Sequence, residues 1–294
     1  MNQKELYLWG KNELEKAQIQ EAPIKARKLL EFILKQTRNQ MICNMLEKVN
    51  LEKQIEYEKQ IEKIKEGMPI QYITHSQEFM GLEFYVDENV LIPQPDTEIV
   101  VEVALKLINE KLVYKNLEET RKICILDLCA GSGCIGISLA KNLDNANIVL
   151  SDIQEKALEV AKKNVQQNEL ENKIKIVKSN LFENLPQNTY NIIVSNPPYI
   201  ETDIMQELSK EVRKEPKIAL DGGKDGLFFY NKILEEAYKY LKKNGYVVLE
   251  IGYNQANLVL KIAKQAKNWK AITLQAIKDL GGNDRVLIFQ KNEK

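Results

Sequence analysis

The spacing of apolar positions changes character near residue 70. Ala26, Leu29, Leu30 and Ile33 fall at i, i+3, i+4 and i+7, and Tyr57, Ile61 and Ile64 repeat that spacing, which predicts amphipathic helices. Gly67-Met68-Pro69 ends the pattern. Over 78–86, short β-type runs flank Gly81 and predict a hairpin within 76–92. From Pro93 onward, compact apolar runs near 122–128, 147–151, 173–178, 190–195 and 245–251 alternate with helix-period stretches such as Leu158, Ala161 and Val165, or Tyr230, Leu234, Ala237 and Leu241. That alternation predicts an α/β domain with a mostly parallel sheet wrapped by helices. A late pair of runs, 270–275 and 285–290, joined across Gly281-Gly282, adds an antiparallel edge strand. The chain therefore divides into a helical region, 1–75, a β-hairpin linker, 76–92, and a larger α/β domain, 93–294, with no internal repeat or low-complexity tract.

Two motifs in the larger domain carry chemistry. Asp127-Leu128-Cys129-Ala130-Gly131-Ser132-Gly133-Cys134-Ile135-Gly136 follows an apolar run and precedes a helix-period stretch, so it reads as strand, glycine loop and helix. Gly131 and Gly133 leave no Cβ where a ligand approaches the backbone, and the helix start offers free N–H groups to an anionic group. Sixteen residues after Gly136, Asp152 ends the run Ile148-Val149-Leu150, where an acidic side chain binds ribose hydroxyls. The same spacing fits a nicotinamide dinucleotide site. Asp127, four residues before the first glycine, and the second motif separate the two readings.

That second motif is Asn196-Pro197-Pro198-Tyr199, entered from Ile192-Ile193-Val194. A planar nitrogen attacking a sulfonium methyl must have its lone pair aimed along the methyl–sulfur bond. The Asn196 carboxamide oxygen and the Pro197 carbonyl can each accept one N–H of a substrate NH2, and two prolines stiffen the backbone that carries them. The nitrogen is then held in a near-attack geometry. Tyr199 offers a flat face, and no strong base is needed because the nitrogen becomes acidic once methylated. Hydride transfer has no use for such a tetrapeptide. Its bland alternative is a strand-ending turn, since Asn-Pro and Pro-Pro often punctuate loops.

Together these residues resemble the class I S-adenosylmethionine-dependent methyltransferases, and within them the glutamine-N5 methyltransferases of peptide chain release factors. Leu91-Ile92-Pro93-Gln94-Pro95-Asp96-Thr97-Glu98 is similar to the family's entry segment, Glu215-Pro216, Ala219-Leu220 and Asp225-Gly226-Leu227 to its loop after NPPY, and Gly281-Gly282-Asn283-Asp284-Arg285 to its closing hairpin turn. The resemblance implies a Rossmann-like sheet. It also implies that Cys129, Ala130, Gly131, Ser132 and Gly133 cradle the methionine part of the cofactor, Asp152 the ribose and Asn180 the adenine, with Asn196 touching both cofactor and substrate. Asn196, Pro197, Pro198 and Tyr199 would bind the substrate glutamine, with Asn196, Pro197 and Tyr199 as catalytic residues. The cofactor would be S-adenosyl-L-methionine, leaving as S-adenosyl-L-homocysteine, with no metal. The protein substrate would be a class-1 release factor, methylated on its Gly-Gly-Gln glutamine and held by the helical region 1–75, with the segment 201–226 shaping the pocket mouth. Asn180 stands where an aspartate is usual, which predicts weaker cofactor binding, and Gln94 stands where many members have arginine. Asp96 is placed to cap the following helix.

Composition narrows the alternatives. The 294 residues hold 42 basic and 42 acidic side chains, and residues 1–75 hold 13 Lys/Arg against 11 Asp/Glu, so no basic arm for phosphates is present. This disfavours a nucleic-acid amino methyltransferase acting on adenine N6 or guanine N2, which shares the NPPY chemistry. A non-catalytic nucleotide-binding module is disfavoured by the intact NPPY. Four cysteines without a CxxC pair predict reduced thiols and a cytoplasmic protein, with Cys129 and Cys134 as packing residues. The single histidine, His75, leaves little room for a histidine-ligated metal or a Ser-His-Asp triad. No stretch approaches the ~20 apolar residues of a membrane span.

Overall fold

The computed structural model describes residues 1–110, 122–273 and 275–292, which form two compact units. The first comprises Met1–Ser76 together with Leu208–Lys214. Its helices are α1 (Gln3–Lys16), α2 (Ala22–Leu34), α3 (Arg38–Cys43), α4 (Leu51–Lys65) and α5 (Ile70–Thr74). The helix starts are written in the sequence. Asn2 with Glu5 and Thr37 with Gln40 form capping boxes, and the Asn50 side chain accepts the Lys53 N–H. The expected apolar stripes meet: Ala26, Leu29, Leu30 and Ile33 pack with Tyr57, Ile61 and Ile64 around Leu6 and Leu14. The Tyr57 ring lies against Gly10, and its hydroxyl donates to the Ala26 carbonyl at 3.0 Å, so its one polar atom is satisfied in the core. Lys25, also buried, donates to Glu211 at 2.7 Å.

The second unit comprises Gln77–Glu207 and Glu215–Lys294. It opens with the hairpin β1 (Gln77–Phe79) and β2 (Leu82–Phe84), turned by Met80 and Gly81, both at positive φ. Phe79 and Phe84 meet edge-on at 6.1 Å and sink into the core.

After α6 (Glu98–Asn109) the chain alternates as its periodicity requires: β3 (Ile123–Leu128), α7 (Cys134–Asn142), β4 (Ala146–Asp152), α8 (Glu155–Gln167), β5 (Ile174–Lys178) and β6 (Tyr190–Ser195). Then come the short α9 (Lys217–Leu220), α10 (Phe228–Glu236), β7 (Leu241–Glu250), α11 (Ala256–Ala266), β8 (Trp269–Ala271), β9 (Ile277–Lys278) and β10 (Asp284–Lys291). The strand order is β5-β4-β3-β6-β7-β10-β8, with β9 also paired to β10. β5, β4, β3, β6 and β7 run parallel, whereas β10 is antiparallel to β7, β8 and β9.

The central strands are buried on both faces, so they read as continuous apolar runs rather than alternating ones. Ile125, Ile192, Ile148 and Val248 face a core with α6, α7 and α8; Leu126, Ile193 and Val247 face one with α10 and α11. The Gly281-Gly282 turn joins β9 to β10, and β8 pairs with the other end of β10, so the expected antiparallel addition is split into two short partners. Among the described residues, no helix is long and apolar enough to cross a membrane.

Candidate active site

The parallel strands all end at one side of the sheet, where side chains from successive loops meet over a crevice. At the end of β3 the backbone makes the turn that the glycine loop requires: Cys129, Gly131 and Gly133 have positive φ, and Gly133 caps α7 in the left-handed conformation. The three glycines serve different ends. A Cβ on Gly131 would meet nothing within 4 Å, so that backbone borders the open cavity. A Cβ on Gly136 would strike Leu150 and crowd Asp127, so this glycine lets α7 lie close to the sheet. Asp127 is buried beneath the loop, its Oδ2 accepting the Gly136 N–H at 2.8 Å while Oδ1 has no partner among the described residues. Burial pushes its carboxyl up to about 7, against the Gly136 hydrogen bond and with a further push from Asp152.

Asp152 ends β4 and faces the same cavity. Its Oδ2 accepts the Gly131 N–H and its Oδ1 the Gln154 N–H, both at 2.9 Å, which aims the carboxylate while each oxygen keeps further acceptor capacity. Burial raises its pKa, and these backbone donors oppose the rise. The Asp152 carbonyl accepts the Ser179 N–H at 2.9 Å, which brings the segment after β5 alongside. There Asn180 lines the cavity, its Nδ2 donating to Glu183 at 2.8 Å, so its carbonyl oxygen is the end left to accept from a ligand. Burial pushes the thiols of Cys129 and Cys134 up, which suits packing and not nucleophilic attack.

NPPY leaves the end of β6, where the Ser195 hydroxyl donates to the Leu128 carbonyl at 2.6 Å and ties β6 to β3. Asn196 and Pro198 line the cavity. Asn196 Nδ2 donates to Thr97 Oγ1 at 3.2 Å, so Oδ1 is the acceptor end of that amide. Pro197 is buried and is not a lining residue. Tyr199 also lies outside the lining; it packs against the α10 and α11 core, and its hydroxyl reaches Glu250 Oε1 at 3.4 Å. Gln255 Nε2 donates to the Tyr199 carbonyl at 2.9 Å, and the absent side chains of Gly222 and Gly226 let the later loop lie against Pro198 and Tyr199. This is the structural use of the Asp225-Gly226-Leu227 segment.

Thr97 belongs to a turn whose three consecutive polar residues bind three separate parts of the fold. Asp96 does not cap α6 as expected: its Oδ2 accepts Arg285 Nη2 at 3.0 Å, and Thr97 is the N-cap residue, with no capping bond from its side chain. The long Arg285 side chain, held also by Asp279, outcompetes the local cap. Glu98 accepts the Met80 N–H at 2.6 Å and so anchors the hairpin.

Several residues escaped the sequence reading. Asn89 and Val90, which fall in the linker, line the cavity beside Leu91 of the entry segment, as do Ile218 and the aromatic pair Phe228 and Phe229 at the start of α10. Glu250, at the end of β7, is buried with Oε2 unpartnered among the described residues; burial pushes its carboxyl up to about 7, with Thr97, Arg285 and Tyr199 opposing. A lone Glu ending an apolar run signals a buried carboxyl at a site edge, but nothing in sequence names its partners.

A parallel sheet with a glycine loop after its first strand, an acid after the second and NPPY after the fourth defines a Rossmann-like methyltransferase. Comparison with known proteins agrees. The Methyltransferase small domain family matches residues 108–224, and the PrmC N-terminal domain family matches residues 5–74. The chain is 37% identical over 291 residues to the release factor glutamine methyltransferase of Clostridium botulinum, covering 98% of this chain and 99% of that one. It is 40% identical over 266 residues to that of Clostridium acetobutylicum, covering 88% of each. The N-terminal domain of human METTL16 in complex with SAH shares the fold at a TM-score of 0.50 and 19% identity, over 73% of this chain and 77% of that one. The protein belongs to the release factor glutamine methyltransferase family.

Proposed function

We propose that this protein transfers the methyl group of S-adenosylmethionine to the side-chain amide nitrogen of the glutamine in the Gly-Gly-Gln motif of class-1 peptide chain release factors. The observation that carries the reading is the orientation of Asn196: with Nδ2 given to Thr97, Oδ1 is the end available to accept an N–H of the substrate amide.

The residues of the cavity suit such a cofactor. The side-chain-free face of Gly131 leaves room against the backbone, and 129–133 would hold the methionine part, Asp152 the ribose hydroxyls and Asn180 the adenine amine. When bound, the cofactor supplies a methyl group on a sulfonium sulfur, and the protein adds no nucleophile of its own. Asn196 Oδ1 takes one N–H of the acceptor amide and so orients its nitrogen, with the Pro197 carbonyl as the second acceptor that the family resemblance implies; Pro198 stiffens that backbone, and Tyr199 packs behind it. The proton lost after transfer goes to water. The helical unit would grip the body of the release factor and supply specificity that a tripeptide lacks; its match to the PrmC N-terminal domain family supports this. The reaction belongs to the cytoplasm, where release factors act and the free thiols stay reduced.

The test is transfer of labelled methyl from S-adenosylmethionine to purified release factor, beside a Gly-Gly-Gln→Gly-Gly-Ala version, total RNA and DNA. Label that disappears with the glutamine is the expected result, and label in nucleic acid alone would overturn the substrate assignment. A protein cut near Lys65 should lose activity on intact release factor; full activity would reassign the helical unit to stabilisation.

A further inference from the structure

Pro197 and Pro198 have no N–H, so the middle of NPPY cannot donate to a neighbour and is held from its two ends. On the upstream side Ser195 pairs in the sheet with Leu128 of β3 and Leu249 of β7. On the downstream side the hold falls on one peptide group. The Ile200 N–H donates to the Leu220 carbonyl at 2.9 Å, and the Tyr199 carbonyl accepts from Gln255 Nε2, also at 2.9 Å.

Gln255 stands immediately before α11, is 6% exposed and does not line the cavity. The groups around its amide allow one orientation. Nε2 faces two carbonyls, that of Tyr199 and, at 3.4 Å, that of Gly226. Oε1 accepts the Gly252 N–H at 3.0 Å and lies 3.3 Å from the Tyr230 hydroxyl. A reversed amide would set its oxygen against both carbonyls and its NH2 against the Gly252 N–H. The backbone closes tightly on this side chain: a Cβ on Gly252 would crowd Oε1, and one on Gly226 would strike Nε2 and the Tyr199 carbonyl.

We propose that Gln255 is a positioning residue for methyl transfer: its Nε2 fixes the Tyr199 carbonyl, and the stiff Pro197-Pro198 link carries that constraint back to Asn196, whose Oδ1 meets the acceptor amide. With φ locked at both prolines, a swing of the Tyr199 peptide moves the segment as a lever instead of being absorbed within it. The inference rests on the amide-methylation reading of the site and adds to it a residue outside the cavity that sets where the acceptor is seated. Gln255 touches neither ligand; it acts through the main chain.

Three variants of the full chain test this. Gln255→Met removes the amide, Gln255→Asn keeps it but withdraws it by one methylene and still suits the start of a helix, and Tyr230→Phe removes one partner from the Oε1 side while leaving the Nε2 contact in place. Misplacing a substrate-holding group by about 1 Å costs on the order of 100-fold in rate. Gln255→Met and Gln255→Asn should therefore each lose at least about tenfold in kcat on release factor, with the cofactor dissociation constant within about twofold of wild type. Tyr230→Phe, which takes a hydrogen bond from the same buried amide, should lower the melting temperature and leave kcat within about threefold of wild type, a split that a merely structural role would not produce. Values of kcat within about threefold of wild type in both Gln255 variants, or a loss in Tyr230→Phe equal to theirs, overturn the proposal. So does a loss accounted for wholly by weaker cofactor binding. Wild-type protein inactive on release factor would overturn the substrate assignment instead. Crystal structures of wild type and Gln255→Asn, which need no substrate, then decide the positioning role: a shifted Asn196–Tyr199 backbone supports it, and one that superposes overturns it.

Discussion

The carboxylate of Glu215 accepts the backbone N–H of Ile92 at 2.9 Å, across 123 residues of chain. Both flank the cavity: Leu91 and Pro93 lie on either side of Ile92, and Ile218 and Ala219 follow Glu215. One hydrogen bond thus ties the segment that enters the α/β unit to the loop after NPPY. Glu215→Ala should cost roughly 1–3 kcal/mol of stability, because a buried donor loses its charged partner, and should weaken cofactor binding measured by calorimetry. Glu215→Gln keeps an acceptor and should restore most of both. An equal loss in the two variants would show that the charge of Glu215, and not a neutral acceptor or its bulk, makes this tie.

Asn164 on α8 is a second tie. Its Nδ2 donates to the carbonyls of Tyr85 and Ser132, at 3.0 and 2.9 Å, while its Oδ1 accepts the Tyr85 N–H at 2.7 Å. The fully buried amide therefore joins the strand leaving the hairpin to the glycine loop. Asn164→Ala should lose about 2–4 kcal/mol in urea unfolding, from three broken hydrogen bonds and a small cavity. Asn164→Asp, which lacks the two donors, should fare no better; a loss under about 1 kcal/mol in both would mean that water replaces the clamp.

Much of this arrangement was legible in sequence, and the limit was one of distance. Helix stripes, buried strands, the glycine loop, Asp152, Asn180 and Asn196 announce themselves because each is encoded by neighbours within one turn or one strand, and the fold then brings the strand ends together. Thr97 and Glu215 stand in segments that resemble the family's, but their partners do not show, and Glu250 does not show at all, because the partners lie 99, 123 and 51 residues away. Asp96 misled for the same reason: a local cap was visible, and Arg285, which takes its carboxylate, was not.

Gly131 and Gly136 separate cofactor binding from packing. Gly136→Ala pushes a methyl into Leu150 and should cost about 1–3 kcal/mol through overpacking. Gly131→Ala meets no protein atom, so beyond about 1 kcal/mol for its left-handed backbone the fold should stand, while the added methyl intrudes on the cofactor and weakens binding at least tenfold. Thermal unfolding and calorimetry on both proteins read the difference; matching profiles would remove the distinction.

Asp127 makes stability depend on pH. Its carboxyl titrates near 3.8 when unfolded and is pushed up to about 7 when folded, chiefly by burial. Between those values the native state holds the extra proton, so stability falls as pH rises through that window and the loss is complete above about 7. Asp127→Asn keeps an acceptor for the Gly136 N–H and cannot ionise. Its stability relative to wild type should therefore improve from about pH 5 to about pH 8 in urea unfolding; Glu250, also pushed up to about 7, is common to both proteins and drops out of the difference. A stability difference between the two proteins that stays constant from about pH 5 to about pH 8 would mean that Asp127 does not titrate in that window.

Asn180 was read as a weakened adenine contact because it lacks a charge, and the structure adds its partner Glu183, which accepts Asn180 Nδ2 at 2.8 Å. Asn180→Asp alone would set two carboxylates side by side, and the repulsion would offset the gain from a charged acceptor. Asn180→Asp combined with Glu183→Gln keeps a donor beside the new carboxylate, and should bind S-adenosylmethionine several-fold more tightly than wild type. Calorimetry on the two single variants and the double variant decides the matter. Tighter binding in the double variant, with little change in Asn180→Asp alone, is the expected pattern; affinity at or below wild type in the double variant would show that charge at this position contributes nothing to adenine recognition.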